Sequence, residues 1–414
     1  MKSRFVTILL ILFVTMSFAT SRVIASGDTP DAPLAVIGSG TAASCQTQAA
    51  SNALSTAVAA GGSITFNCGS VPVVMIVNTN ATDKTVTVDG GGLVTLSGEN
   101  LRQIFFVFGN GNLTLKNISL IDGNGVGGGA IAVSCAQAKA TIGNSFLTGN
   151  DAGSSHGGAI LNQGTLTIDH STLGSNKTTS YGGAIFNNGG TVTISYSTII
   201  NNQAADGGAI FHSEGTINVD RSAIRSNIAT MNGGGIHIDV GTVNVTNTTF
   251  YDNRADGGGG IYMRGNQLSI ANSTFNRNRA NTGGALWNFA GQTNIKNTIL
   301  SGSRDMNDTS ASLNCDGFSV TSGGRNIVSD NTCVPNPSSV GDLLSTDPKL
   351  DAFLRDNGGP TRTFKLLDGS PAIDYGLNCP NIDKRGVKRP IGTACDVGAF
   401  EYGWPTYLPV LLRK

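Results

Sequence analysis

The side chains able to do chemistry in this 414-residue chain are few. Asp169 and Asp220 occupy one column of an internal repeat, two units apart, with Ser195 between them. Stacked strands would place these carboxylates roughly 9–10 Å apart, at the wide end of the spacing a glycosidase uses for its acid and base. A polysaccharide lyase would instead need a Ca²⁺-binding carboxylate cluster beside an Arg or Lys base. Asp252, Arg254 and Asp256 are the nearest approach, but they fall in a turn where charges are normally solvated. The four histidines, His156, His170, His212 and His237, stand in four different columns and form no ligand set. The sequence is therefore read as offering no catalytic, cofactor-binding or metal-binding constellation. Of seven cysteines, Cys45/Cys68, Cys315/Cys333 and Cys379/Cys395 are close pairs, and Cys135 is left over. Without a CxxC or a neighbouring histidine, disulfides are favoured over a metal site.

A non-catalytic stripe is more coherent. The residue after the Ile or Leu of each GGxI motif reads Leu161, Phe186, Phe211, His237, Tyr262, Trp287. If the Ile faces the core, strand alternation turns this stripe outward. Exposed rings about 4.8 Å apart would suit sugar or protein contacts, which makes Phe186, Phe211, Tyr262 and Trp287 the candidate binding residues. The competing expectations are that the rings pack on one another, that the C-terminal segment covers them, or that they are the core and the Ile column faces out.

The elements positioning these residues follow from the repeat. Gly-Gly-[Ala/Gly]-[Ile/Leu] begins at Gly128, Gly157, Gly182, Gly207, Gly233, Gly258 and Gly283, with spacings of 29, 25, 25, 26, 25 and 25 residues. An apolar-x-apolar pair keeps the same period (Leu166/Ile168, Val192/Ile194, Ile217/Val219), as does an apolar-x-x-Asn (Leu173/Asn176, Ile199/Asn202, Ile224/Asn227). The unit has no helical period, lacks a leucine ladder and is too short for a propeller blade. It fits one coil of a right-handed parallel β-helix, an all-β solenoid whose coils stack at about 4.8 Å. About ten coils are expected between Ile64 and Leu300, a rod of roughly 45–50 Å. The Asn150-to-Asn278 column is expected to form an amide ladder. The column Gly111, Gly164, Gly190, Gly215, Gly241, Asn266 is expected to be a left-handed turn position.

Both ends of a solenoid must be covered. Gln46–Ala60, apolar at Ala50, Leu54, Ala57 and Val58, reads as an N-terminal capping helix; the segment beyond Leu300, rich in Pro and Cys, reads as a loop-rich, disulfide-bearing cap. Residues 1–25, with Lys2 and Arg4 before the apolar run Phe5–Ala19, read as a signal peptide, giving divisions at 1–25, 26–302 and 303–414. No later segment is long enough to span a bilayer as a helix. Lys+Arg and Asp+Glu are equal at 27, so no basic field exists for nucleic acid.

The GGAI and [FIL]xxN elements resemble those of bacterial right-handed parallel β-helix proteins with polymorphic-outer-membrane-protein-type repeats. The tail pieces NCDGFSVTSGGRNIVSDNTC (314–333), DPKL (347–350), DNGGPT (356–361), GSPAID (369–374), RGVKRP (385–390) and CDVGAFEY (395–402) resemble the choice-of-anchor-Q region of such exported proteins. The resemblance implies a secreted or surface protein, often discussed as an adhesin or passenger. After Tyr402 the sequence reads GWPTYLPVLLRK, which contains no LPxTG signal, and no translocator barrel is expected from it. The expected function is thus a secreted or cell-surface binding or structural rod, adhesin-like, recognising a glycan or a cell-surface protein without a cofactor. The alternative is a polysaccharide-degrading enzyme, pectate-lyase-like or a glycosidase, on the same fold.

Overall fold

The computed structural model describes residues 35–334 and 340–403; the expected signal peptide and the apolar stretch 407–412 lie outside them. The described residues form a parallel β-solenoid with three long ladders and a short pairing of Gln203–Ala204 with Ile228–Ala229. The first runs from Asn80–Thr82 to Cys315–Gly317, the second from Ala35–Ile37 to Thr321–Ser322, and the third from Val73–Ile76 to Ile327–Val328. The third ladder is an 11-stranded sheet, whereas the first two merge where Ile185–Ser195 and Ile210–Asp220 run continuously through both. Parallel pairing continues past residue 302 for one further coil, through Ile327–Val328.

The periodic columns of the sequence are register partners. Ile160 pairs with Ile185, Leu166 with Val192 and Leu173 with Ile199. These side chains are fully buried, and so are the stacked rings of Phe250 and Phe275, whose centroids lie 4.4 Å apart. The Ile of GGxI therefore faces inward. Each such side chain contributes about 1.5–3 kcal/mol by leaving water.

The corners are held by polar ladders. Asn150, Asn176, Asn202, Asn227, Asn253 and Asn278 are fully buried, and each amide from Asn150 to Asn253 donates to the next at 2.9–3.0 Å. Each of these Oδ1 acceptors also takes the preceding asparagine's backbone N–H. At the corner between the second and third ladders, the hydroxyls of Ser171, Ser197, Ser222, Thr248 and Ser273 accept a backbone N–H from the coil before. Just ahead of them His170, Tyr196, Arg221, Asn247 and Asn272 adopt φ of 46–48°.

The left-handed turn column expected at Gly111–Asn266 is only half of that kind. Gly215, Gly241 and Asn266 have φ of 98°, 98° and 63°. Gly111, Gly164 and Gly190 do not have positive φ; a Cβ there would meet neighbouring atoms at 2.6, 2.1 and 2.3 Å. Glycine serves two needs in one column, left-handed backbone in some coils and close approach in others.

Helix Gln48–Ala60 covers the N-terminal end, capped by the Thr47 side chain, which accepts from the Ala50 N–H. It buries Ala50, Leu54 and Val58 over the core, and Cys45–Cys68 ties its entry to the first coils. Cys315–Cys333 and Cys379–Cys395 also pair as read. Residues 340–403 do not simply plug the far end. They fold back along the solenoid: Thr361 donates to the Arg221 carbonyl, Asn247 to that of Ile382, and the Gly398 N–H to that of Asn297. Phe364 meets Tyr251 edge-on at 5.2 Å. The segment is a strap braced by buried charge. Glu401 accepts from the Ile391 and Asp396 N–H groups, and Arg389 donates to the carbonyls of Asp396 and Gly398.

Candidate functional site

The stripe expected along the first ladder exists. Leu161, Phe186, Phe211, His237, Tyr262 and Trp287 are successive register partners, all facing away from the isoleucine core. Their exposure differs from expectation. Phe186, Phe211 and Tyr262 are each 7% exposed and His237 is 6%. The cause is the turn that precedes each GG motif, which rises over the outer face of the first ladder. Tyr181 stacks against Phe211 at 4.6 Å, and His156 lies 4.7 Å from Phe186. Within the stripe Phe211 and His237 stack at 4.5 Å, and His237 lies 4.7 Å from Tyr262. The rings thus form a second, outer hydrophobic layer, held mainly by one another. His237 is tolerated there because its Nδ1 sits 3.2 Å from Asp206 Oδ1. Burial works to raise the Asp206 pKa, but the His237 contact and charge and the Asn232 donors outweigh it and hold the carboxyl below its ordinary value.

The layer opens at its C-terminal end. Trp287 is half-buried, its indole lying against the backbone of Gly257, where a Cβ would come within 2.0 Å of the ring. Phe289 is 49% exposed and Phe318 68% exposed. With Gly317 these residues line an open recess of about 350 Å³. Trp287 meets Tyr262 edge-on at 5.1 Å and Phe289 edge-on at 5.9 Å. One end of the platform is therefore fixed by the stripe and the other faces solvent. Sequence reasoning missed Phe289 and Phe318 because each occurs once, off the repeat. The signal available was only that Phe289 lies two residues beyond Trp287, in the bend just after the strand Leu286–Asn288.

The carboxylate column is also real, with different chemistry from an acid–base pair. Asp169, Ser195 and Asp220 are register partners. The Ser195 hydroxyl donates to Asp169 at 2.6 Å, and His170 Nδ1 lies 2.7 Å from the same carboxylate. Arg221 Nε donates to Asp220 at 2.7 Å, and its guanidinium lies 4.4 Å from the Tyr196 ring centre. Partial burial raises the Asp169 pKa, yet the Ser195 and His170 contacts overcome this and leave it lowered. A general acid needs the opposite shift. Asp252 pairs with Arg279 at 2.5 Å, while Asp256 accepts from the Asn281 amide at 2.7 Å, so the two carboxylates have separate partners. His156, His170, His212 and His237 are each held by different neighbours, and among the described residues no group of three or more His, Cys, Asp or Glu side chains converges as a metal site would. His212 is buried between Asn187 and the Gly215–Gly241 turn, and burial pushes its pKa down to about 4.

Residues 247–264 match the Chlamydia polymorphic membrane protein (Chlamydia_PMP) repeat. The matched stretch is shorter than one coil, and it contains Phe250, Asn253 and Gly258–Ile261. No curated protein and no solved structure matches the chain. Among the described residues no helix is long and apolar enough to cross a membrane. The three disulfides fit an oxidising, extracytoplasmic setting.

Proposed function

We propose that this protein is an exported, surface-associated binding rod that recognises a glycan at the open end of its aromatic layer. Trp287, Phe289 and Phe318 make the contact, while Phe186, Phe211 and Tyr262 serve as the rigid footing behind them. The observation carrying this reading is the change of exposure along one stripe, from closed rings in mid-rod to a recess of about 350 Å³ with three aromatic walls. Open aromatic faces present apolar area at little entropic cost and suit the C–H faces of sugar rings. The PMP-type repeat and the disulfides support surface placement. The test is a glycan array probed with the full chain and with a Trp287→Ala/Phe289→Ala/Phe318→Ala variant. The parent should bind a restricted set and the variant should lose it at an unchanged melting temperature. A silent array, or hits that persist in the variant, would remove the proposal.

A further inference from the structure

We propose that the cleft where the strap residues 356–362 meet the third ladder is an oxyanion site that takes the acidic group of a uronic or sulfated sugar. The cleft has a volume of about 400 Å³, and its walls include Thr172, Thr198, Arg225, Asp356, Gly359 and Arg362. Arg225 sits on the outer face of the third ladder, in register with Ile200 and Tyr251. Arg362 comes from the strap, whose position is fixed when Thr361 donates to the Arg221 carbonyl at 3.2 Å. Lys384 is fully buried, and its Nζ donates to the Arg362 carbonyl at 2.9 Å. Two guanidinium groups therefore line one cleft, and the buried Lys384 ammonium holds the strap backbone that carries one of them.

Compensation for this charge is thin. Among the described residues neither the Arg225 nor the Arg362 guanidinium joins a hydrogen bond or ion pair. Asp356, the one carboxylate in the wall, is exposed and engaged in its own turn, accepting the Gly358 N–H at 3.0 Å. Burial lowers the Arg225 pKa and the Arg362 charge lowers it further, with Tyr251 opposing; burial and then the Arg225 charge lower that of Lys384, with Asp383 opposing. A half-buried guanidinium facing like charge is unfavourable until an anion joins it, and guanidinium pairs bind planar or tetrahedral oxyanions through parallel hydrogen bonds. The Thr172 and Thr198 hydroxyls add neutral donors of the kind that bind sugar hydroxyls. The site lies on the third ladder, whereas the aromatic recess lies on the first, so neither proposal rests on the other.

The test is calorimetric titration of the full chain with sodium sulfate, sodium phosphate, galacturonate and trigalacturonate, alongside Arg225→Gln, Arg362→Gln and the double variant. The sugar acids, or a sulfated monosaccharide run in parallel, should bind more tightly than the inorganic ions. Arg225→Gln should weaken binding at least tenfold, and the double variant should abolish it. The ligand-free variants should melt no lower than the parent, because each removes an uncompensated charge. Arg362 is exposed, so its substitution reads out binding even if Arg225→Gln perturbs the fold. Equal affinity for free sulfate and the sugar acids would overturn the sugar assignment. Undiminished binding in the double variant, or no binding to any of these probes, would overturn the site.

Discussion

Asn227→Ala tests the asparagine ladder at its centre. In the parent, Asn227 Nδ2 donates to the Ile199 carbonyl at 3.0 Å and to Asn253 Oδ1 at 2.9 Å, while its Oδ1 accepts the Asn202 backbone N–H at 3.0 Å and the Asn202 amide at 2.9 Å. Truncation leaves the Asn202 N–H and one Asn202 amide proton buried without partners, whereas the Ile199 carbonyl keeps its place in the parallel ladder with Ala223–Arg225. Asn253 Oδ1 is spared, because it still accepts the Asn227 backbone N–H at 3.1 Å. Two orphaned groups at about 1–3 kcal/mol each give a cost of about 2–5 kcal/mol once partial relaxation is allowed. The control is Asn244→Ala, which loses one partly exposed bond to Asn218 and should cost about 0.5–1 kcal/mol. Urea unfolding followed by circular dichroism, with hydrogen exchange at residues 199–227, measures both. Equal destabilisation by the two substitutions would show that the ladder is incidental to the fold.

Phe211→Ala, which removes a ring closed in by Tyr181 and His237, should cost about 3–5 kcal/mol, measured by denaturant unfolding; a neutral result would mean that the outer layer holds nothing. His212 is held neutral by burial, with a pKa near 4 against an ordinary 6.5, so its contribution is present above pH 6.5 and is lost as pH falls toward 4. That loss amounts to at most about 3 kcal/mol. His212→Asn, which extends the Asn162–Asn187 pairing, should flatten this part of the stability–pH curve, and an unchanged slope would refute the assignment. Burial raises Asp396 from 3.8 to about 7, so the fold favours its protonated form. Its contribution is present below pH 4 and is lost as pH rises through 7, by at most about 4 kcal/mol. Asp396→Asn should remove that decline in pH-dependent calorimetry, and a decline that survives would assign it to another group.

The solenoid was legible because its information is periodic. The inward Ile column, the Leu-x-Ile pair and the Asn column each recur once per coil, and stacking converts each into a row of register partners. The disulfides were legible from close pairing in the chain. The strap's path was not, because its contacts to Arg221, Asn247 and Asn297 join residues 80–140 positions apart and follow no repeat. The burial of Phe186 and Phe211 was hidden for a related reason. Alternation assigns a ring to the outer side of a strand, but it does not say that the turn carrying His156, Tyr181 and Asp206 rises over that side. The open site lies where the period fails, at Phe289 and Phe318. The half-wrong glycine column shows the same limit, since one letter answers both to positive φ and to lack of space.

The most direct test of the central claim uses the tryptophan that the site contains. The sequence holds two tryptophans, so Trp404→Phe leaves Trp287 as the single reporter. Titrating this variant with an oligosaccharide identified on the array should shift the Trp287 emission to the blue and saturate it, and adding Phe289→Ala and Phe318→Ala should abolish the change at an unaltered melting temperature. Binding measured by calorimetry with no change in Trp287 emission would contradict recognition at the open end of the aromatic layer.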